Sequence, residues 1–166
     1  MNKEFELDDL IDIITEKLNS GGTVTFTPRG KSMLPMLRDG EDVVVLTKPN
    51  GRLRIYDVPL YKRPNGQYVL HRVLDFDADG GYAMCGDNQF VLEHGIKDKD
   101  IIGVVTTFYR KGKTYRVSSL KYKAYVRFWH YTRYIRRGFK FGKKNVLRFF
   151  GKGNIDKSNE KISDRK

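Results

Sequence analysis

The 166-residue sequence has one cysteine, Cys85, and no long hydrophobic run. A single cysteine excludes an internal disulfide and is typical of a reducing compartment. The best apolar stretches, at 42–46 and 101–105, fall far short of the roughly 20 residues that a membrane-spanning helix needs. The first residues, "MNKEFELDD", are acidic, which is unlike a signal or transit peptide. We therefore expect a protein that stays on the cytoplasmic side.

Acidic residues are missing from 110–152, a segment that holds 15 of the 32 Lys and Arg residues. The rest of the chain has 17 basic and 20 acidic residues, so it is nearly neutral, although the whole chain carries a formal net charge of +12. The hydrophobic share of 39% is enough for one modest core. These features predict one domain with a basic C-terminal appendage.

Apolar residues repeat at helical spacing over 5–19, and "SGG" at 20–22 ends that helix. From Thr23 onward, short β-rich segments alternate with turn sequences such as "RPNG", "DADGG" and "RKGK". The pattern predicts a mainly β, antiparallel body with an N-terminal helix and a basic C-terminal helical appendage. The predicted strands are 23–27, 42–47, 56–63, 67–76, 81–85, 101–110 and 114–118.

After Ser118 the spacing becomes helical again, with an apolar stripe formed by Leu120, Ala124, Phe128, Tyr131 and Ile135. Arg127 interrupts one edge of the stripe, so the helix is only moderately amphipathic. We expect four parts: an N-terminal helix (1–22), a body (23–118), a basic amphipathic segment (119–150) and a disordered tail (151–166).

Three segments of the body contain residues that could form a serine-peptidase site. They are "GKSMLPML" with Ser32, "YVLHRVL" with His71 and "MCGDNQF" with Asp87. A serine hydroxyl needs a base to accept its proton, and histidine, with an unperturbed pKa of about 6.5, is the usual one. A carboxylate can orient that histidine. Because most domains contain these three residue types, composition alone is weak support.

The order and spacing of these segments along the chain are stronger support for a serine-peptidase site than composition is. "GKSMLPMLRDGEDVVV" resembles the nucleophile motif of the signal-peptidase and SOS-repressor superfamily of serine peptidases. "YDVPLYKR", "QYVLHRVL", "YAMCGDNQF" and "IIGVV" resemble the later motifs of that superfamily in the same order. The resemblance covers about Thr23 to Val105. It implies a complex antiparallel β fold and a serine endopeptidase that processes precursors such as those with signal peptides.

The resemblance also indicates a branch and its site residues. Bacterial signal peptidases and the repressors have a lysine base where this chain has His71, whereas histidine there is typical of the archaeal, endoplasmic-reticulum and spore-former type. It implies Ser32 as nucleophile, His71 as general base and Asp87 as third member. Gly30 stands where many relatives have a second serine near the oxyanion. Met33 is expected to line the pocket for a small substrate side chain.

Several alternatives remain open. Lys62 could serve as the base, and Asp57 or Asp98 could replace Asp87. Ser32 could be only a helix cap, His71 a half-buried strand residue and Asp87 a turn residue. We predict no metal or cofactor. His94 and His130 form no metal-binding spacing with each other or with Cys85.

The basic segment 119–150 has three interpretations. It could lie on an anionic membrane surface, bind nucleic acid, or pack against the body. We expect the membrane surface, which would make the protein peripheral at the cytoplasmic membrane. The other functions to weigh are a nucleic-acid-binding regulator related to the repressors and a degenerate peptidase kept as a membrane-surface interaction module.

Overall fold

The computed structural model describes residues 7–133, 135–136 and 138. The chain divides into two compact units, one that ends at Val126 and one that begins at Arg127. The described residues form two α-helices, nine β-strands and one 3₁₀ turn. In chain order the elements are α1 (Leu7–Asn19), β1 (Val24–Phe26), β2 (Val43–Thr47), β3 (Pro59–Lys62), β4 (Tyr68–Leu70), β5 (Arg72–Phe76), β6 (Tyr82–Cys85), β7 (Glu93–Ile96), the 3₁₀ turn (Asp98–Asp100), β8 (Ile101–Arg110), β9 (Lys113–Arg116) and α2 (Leu120–Tyr131).

The described strands pair antiparallel in two sheets. The larger sheet has the order β1-β2-β8-β3-β4, and β9 also pairs with β8. Strand β8 is ten residues long, which is enough for two partners in succession along one of its edges. Its first part pairs with β3 and its last part with β9. The smaller sheet has the order β5-β6-β7. The predicted mainly β class, with a helix near each end of the described chain, is confirmed.

The predicted strand 67–76 is in fact two strands separated at His71. Strand β4 pairs with β3 in the larger sheet, whereas β5 pairs with β6 in the smaller sheet. The alternation of inward- and outward-facing side chains continues across the break. Val69, before it, and Val73, after it, both pack on the same apolar cluster. The chain therefore passes from one sheet to the other at His71.

Strand β7 was not predicted from the sequence. Its sequence, "EHGI", has low β-propensity, and Gly95 adopts a φ of +83°, which favours glycine over residues with a Cβ. The segment is extended because it pairs with β6, and not because its own residues favour a strand. This tertiary pairing matters for function because β7 begins with Glu93.

Both helices contribute to the core of the unit that ends at Val126. Helix α1 buries Ile11 and Leu18, and the first half of α2 buries Tyr122 and Val126, all in one apolar cluster with the larger sheet. A second cluster lies against the smaller sheet and includes Leu53, Tyr61, Val73, Tyr82, Met84 and Ile96.

The predicted apolar stripe of α2 does not face the core. Leu120, Phe128 and Tyr131 are 85%, 68% and 83% exposed, and Ile135, which follows α2 in the chain, is 59% exposed. Tyr122 and Val126 form the packed face instead. Most of the predicted segment 119–150 beyond α2, and all of the predicted tail 151–166, lie outside the described residues.

Candidate active site

Ser32 lies in a series of turns between β1 and β2, of which residues 30–34 are called the serine loop below. Its carbonyl oxygen accepts a hydrogen bond from the Asn88 N–H at 2.8 Å, and the Asn88 side chain donates to the Lys31 carbonyl at 3.2 Å. A Cβ atom added at Gly86 would lie 2.7 Å from the Ser32 carbonyl oxygen, so glycine is required for this approach. The Gly-Asp-Asn segment after β6 therefore packs directly on the serine loop.

Ser32 and His71 line the same cleft, which has a volume of about 280 Å³. The serine loop contributes one part of the lining, including Gly30 and Met33, and β4 with His71 contributes another. Gln89, just after the Gly-Asp-Asn segment, also lines it. Four of the five predicted site residues thus surround one cavity, although they come from two segments far apart in sequence.

Among the described residues, the candidate nucleophile Ser32 and the candidate base His71 are not hydrogen-bonded to each other. Within the part of the chain that the structure describes, the hydrogen-bond partner of the imidazole is Tyr61 rather than Ser32. Catalytic hydrogen bonds are often long in free enzymes and tighten in the complex with substrate. A shared cavity is the first geometric requirement for Ser32 and His71 to act together, and it is met.

His71 is buried, with 3% of its surface exposed. Its Nδ1 atom lies 3.3 Å from the Tyr61 hydroxyl and 3.8 Å from Oε2 of Glu93. Burial, assisted by the positive charge of Arg63, lowers the pKa of His71 to about 4, and the negative charges of Glu93 and Asp87 act in the opposite direction. The imidazole is therefore neutral at pH 7, the form that accepts a proton.

The hydrogen bonds around Tyr61 determine which nitrogen of His71 carries the proton. Burial raises the pKa of Tyr61 far above its usual value, so the hydroxyl keeps its single proton. It donates that proton to Oε2 of Glu93 over 2.9 Å, since a carboxylate can only accept. In the Tyr61–His71 contact, Nδ1–H must then be the donor. The Nε2 atom is left with its lone pair, which a general base needs.

Glu93 is fixed by Arg63, whose Nε and Nη2 atoms donate to the two carboxylate oxygens at 2.7 and 2.6 Å. Partial burial acts to raise the pKa of Glu93, but the hydrogen bonds from Arg63 and Tyr61 outweigh it and hold that pKa below its usual range. Glu93 is therefore ionised at neutral pH. Sequence reasoning missed this group because Arg63 lies in a predicted turn, and Glu93, 30 residues later, lies in a strand that the pattern does not show.

Asp87 forms an ion pair with Arg72. Its two carboxylate oxygens accept hydrogen bonds from Arg72, each at 2.7 Å. Arg72 is completely buried and also donates to the Tyr56 carbonyl and the Tyr122 hydroxyl, both at 2.9 Å. The carboxylate that reaches His71 through a hydroxyl is Glu93, while Asp87 binds the residue next to His71.

Gly30 and Met33 have distinct environments in the cleft. Gly30 has a φ of +104°, and its N–H donates to Oδ1 of Asp39 at 2.8 Å, so this N–H is already used and is not free for an oxyanion. Met33 lines the cleft and is 4% exposed, so its side chain is mostly packed.

The alternative residues also have identified neighbours. The ammonium group of Lys62 lies 5.0 Å from the centre of the Tyr68 ring. Asp57 accepts a hydrogen bond from the Arg54 N–H at 2.8 Å, and Asp98 accepts one from the Tyr82 hydroxyl. Each of these two aspartates thus accepts a hydrogen bond from a group other than His71.

Comparison with protein-family models and with curated proteins finds no match. In the described part of the chain, neither helix is long and apolar enough to cross a membrane. The described residues also contain no group of three or more His, Cys, Asp or Glu side chains that could hold a metal ion. The chemistry of the cleft residues is therefore the basis for a functional assignment.

Proposed function

We propose that this protein is a serine endopeptidase, similar in mechanism to the histidine-type signal peptidases, that cuts a peptide or protein precursor. The main support is the single cleft lined by Ser32 and by a neutral His71 whose Nε2 lone pair is available. The ordered motifs around Ser32, His71 and Asp87 point to the same chemistry.

The reaction begins when Oγ of Ser32 attacks the scissile carbonyl carbon while Nε2 of His71 takes the hydroxyl proton. The tetrahedral intermediate collapses, the C–N bond breaks, and the imidazolium gives its proton to the leaving amine. Water then attacks the acyl-enzyme with His71 again as base. The hydrolysed product leaves, and Ser32 regains its proton.

The residues around His71 stabilise the positive charge that develops on its imidazole when it takes the proton of Ser32. When Nε2 is protonated, the ionised Glu93, 3.8 Å from Nδ1, lies close enough to stabilise the imidazolium. Tyr61 holds Nδ1 in place and fixes the tautomer. We assign the main oxyanion donor to the backbone N–H of Ser32, since that of Gly30 is bound to Asp39.

Strand β4 offers a place for the substrate backbone. Among the described strands it pairs only with β3, so its other edge is open, and Tyr68, Val69 and Leu70 of β4 line the cleft. An extended peptide can add to such an edge through main-chain hydrogen bonds. The small cleft and the buried Met33 favour a small side chain before the cut.

The direct test compares peptides from cells that express the wild-type protein or Ser32→Ala, by mass spectrometry of N-termini. We expect specific N-termini, preceded in the precursor by small residues, to disappear in the variant. Identical N-termini in both samples would instead favour a non-enzymatic role, either as a nucleic-acid-binding regulator or as a degenerate peptidase that only binds partners.

Tyr61→Phe is expected to lower kcat about tenfold, the effect of losing one hydrogen bond of about 1.4 kcal/mol. Without the hydroxyl, Nδ1–H has no acceptor within hydrogen-bond distance, because Oε2 of Glu93 is 3.8 Å away, and the Nδ1–H tautomer is less favoured. ¹⁵N NMR of the imidazole measures that tautomer directly. The wild-type protein should show a protonated Nδ1, and Tyr61→Phe a larger share of protonated Nε2.

Glu93→Gln should also lower kcat, because it removes the negative charge that stabilises the imidazolium. Since Glu93 raises the pKa of His71, the acid limb of the rate should move to lower pH in this variant. Glu16→Gln, the same change on the exposed side of α1, is the matched control and should leave both quantities unaltered. An acid limb that stays in place would exclude this role for Glu93.

We further propose that the basic C-terminal segment binds an anionic membrane surface. In α2, Leu120, Phe128 and Tyr131 are exposed, while the segment 110–152 carries no acidic residue. Apolar side chains with nearby cations are the composition of an interfacial helix. Each basic residue near an anionic leaflet contributes about 1 kcal/mol.

Phe128→Ser with Tyr131→Ser should reduce binding to anionic vesicles, measured by co-sedimentation at low salt. Substitutions are used because removal of α2 would also remove Tyr122 and Val126, which belong to the core. Leu10→Ser with Ile13→Ser removes two exposed apolar side chains of α1, which are 47% and 53% exposed, and is the matched control. Equal losses in both variants, or no vesicle binding by the wild type, would contradict the proposal.

A further inference from the structure

A second cavity, of about 990 Å³, lies between the β8–β9 hairpin and the start of α2. It shares no lining residue with the cleft of Ser32 and His71. Both walls belong to the unit that ends at Val126. The proposed peptidase mechanism does not use it.

The inner surface of this cavity is mainly apolar and aromatic. The rings of Phe108 and Tyr115 stack on each other with centroids 5.0 Å apart and an angle of 9° between their planes. Tyr122 packs its ring edge-on against Phe108 at 5.8 Å. Pro35 and Met36, which follow the serine loop, complete this part of the lining. Such a surface suits an acyl chain.

The outer lining is basic. Lys113, Arg116 and Lys121 line the cavity and are exposed, whereas Arg110 is engaged with the carbonyl oxygens of Pro35 and Met36. The residues that line the cavity include no Asp or Glu. The charge therefore favours an anion, and three of the cations face solvent.

We propose that this cavity binds the headgroup and upper acyl chain of one anionic phospholipid. The phosphate would lie among Lys113, Arg116 and Lys121, and the acyl chain would contact the aromatic surface. The accessible part of this aromatic surface comes from the half-buried Tyr115 and Tyr125, since Phe108 and Tyr122 are only 4% and 7% exposed. As the source of the lipid is a membrane, the inference rests on the proposed membrane association.

The test is calorimetric titration of the full-length protein with dihexanoylphosphatidylglycerol below its critical micelle concentration. We expect saturable binding of one lipid and affinity about tenfold weaker for zwitterionic dihexanoylphosphatidylcholine. Lys113→Gln with Lys121→Gln should weaken binding of the anionic lipid about tenfold or more. Lys48→Gln with Lys99→Gln removes the same charge from exposed positions elsewhere and should leave the affinity unchanged.

Three results would overturn the site: equal affinity for the two lipids, equal losses in the two double variants, or equally tight binding of inorganic phosphate alone. Because the probe is monomeric, the experiment separates the site from the broader proposal. Binding of this lipid by a protein that ignores vesicles would support the cavity and refute the membrane association. Circular dichroism of the variants, which alter only exposed lysines, checks that the fold is retained.

Discussion

Ser32→Ala is expected to abolish cleavage of the precursor, and His71→Gln to lower kcat/KM about a thousandfold. The first change removes the attacking oxygen. The second leaves the hydroxyl without a base to take its proton. Both are measured on a purified peptide that spans the cleavage site, and circular dichroism should show that each variant is folded.

Lys62→Ala provides the comparison for the alternative base and should change kcat/KM little. The pH dependence gives a second criterion. Because the pKa of buried His71 is lowered to about 4, the neutral base is present throughout the range above that value, and activity should fall only as the pH drops through about 4. A loss of activity in Lys62→Ala with normal activity in His71→Gln would transfer the role to the lysine.

Asp87→Ala should lower the free energy of unfolding by about 3–5 kcal/mol, because it leaves the guanidinium of Arg72 buried without its counter-ion. Arg72 is completely buried and both of its short contacts to Asp87 would be lost. The quantity is measured by chemical denaturation. Asp75→Ala, at an exposed position of β5, is the control and should stay within about 0.5 kcal/mol of the wild type.

A double variant distinguishes a structural Asp87 from a purely catalytic one. Arg72→Met in the background of Asp87→Ala removes the unpaired charge and should recover part of the lost stability. A purely catalytic aspartate predicts normal stability for Asp87→Ala and no recovery in the double variant. That outcome would contradict the structural role assigned to Asp87 through Arg72.

Short stretches of sequence were sufficient to predict the hairpins and the N-terminal helix. Turn residues and alternating apolar residues predicted the hairpins β3–β4, β5–β6 and β8–β9, whereas the joint site of Ser32 and His71 was implied by the family resemblance. The apolar periodicity over 5–19 likewise predicted α1. Each of these signals lies within a short segment, where propensity and patterning act directly.

The parts that sequence could not predict depend on contacts between distant segments. Glu93 reaches His71 only because β7 pairs with β6, and "EHGI" shows no strand pattern. The pairing of Asp87 with Arg72 needs an arginine that is completely buried, which is rare for that residue type. For α2, periodicity showed an apolar stripe but not which apolar face packs on the core.

The most direct test of the central claim needs no known substrate. The protein is treated at pH 7 with a fluorophosphonate, which modifies activated serine hydroxyls, and the modified peptide is located by mass spectrometry. The account predicts one adduct, on Ser32, that is absent in Ser32→Ala and forms far more slowly in His71→Gln. Labelling of Ser32 at the same rate in His71→Gln, or no labelling of the folded wild-type protein, would contradict it.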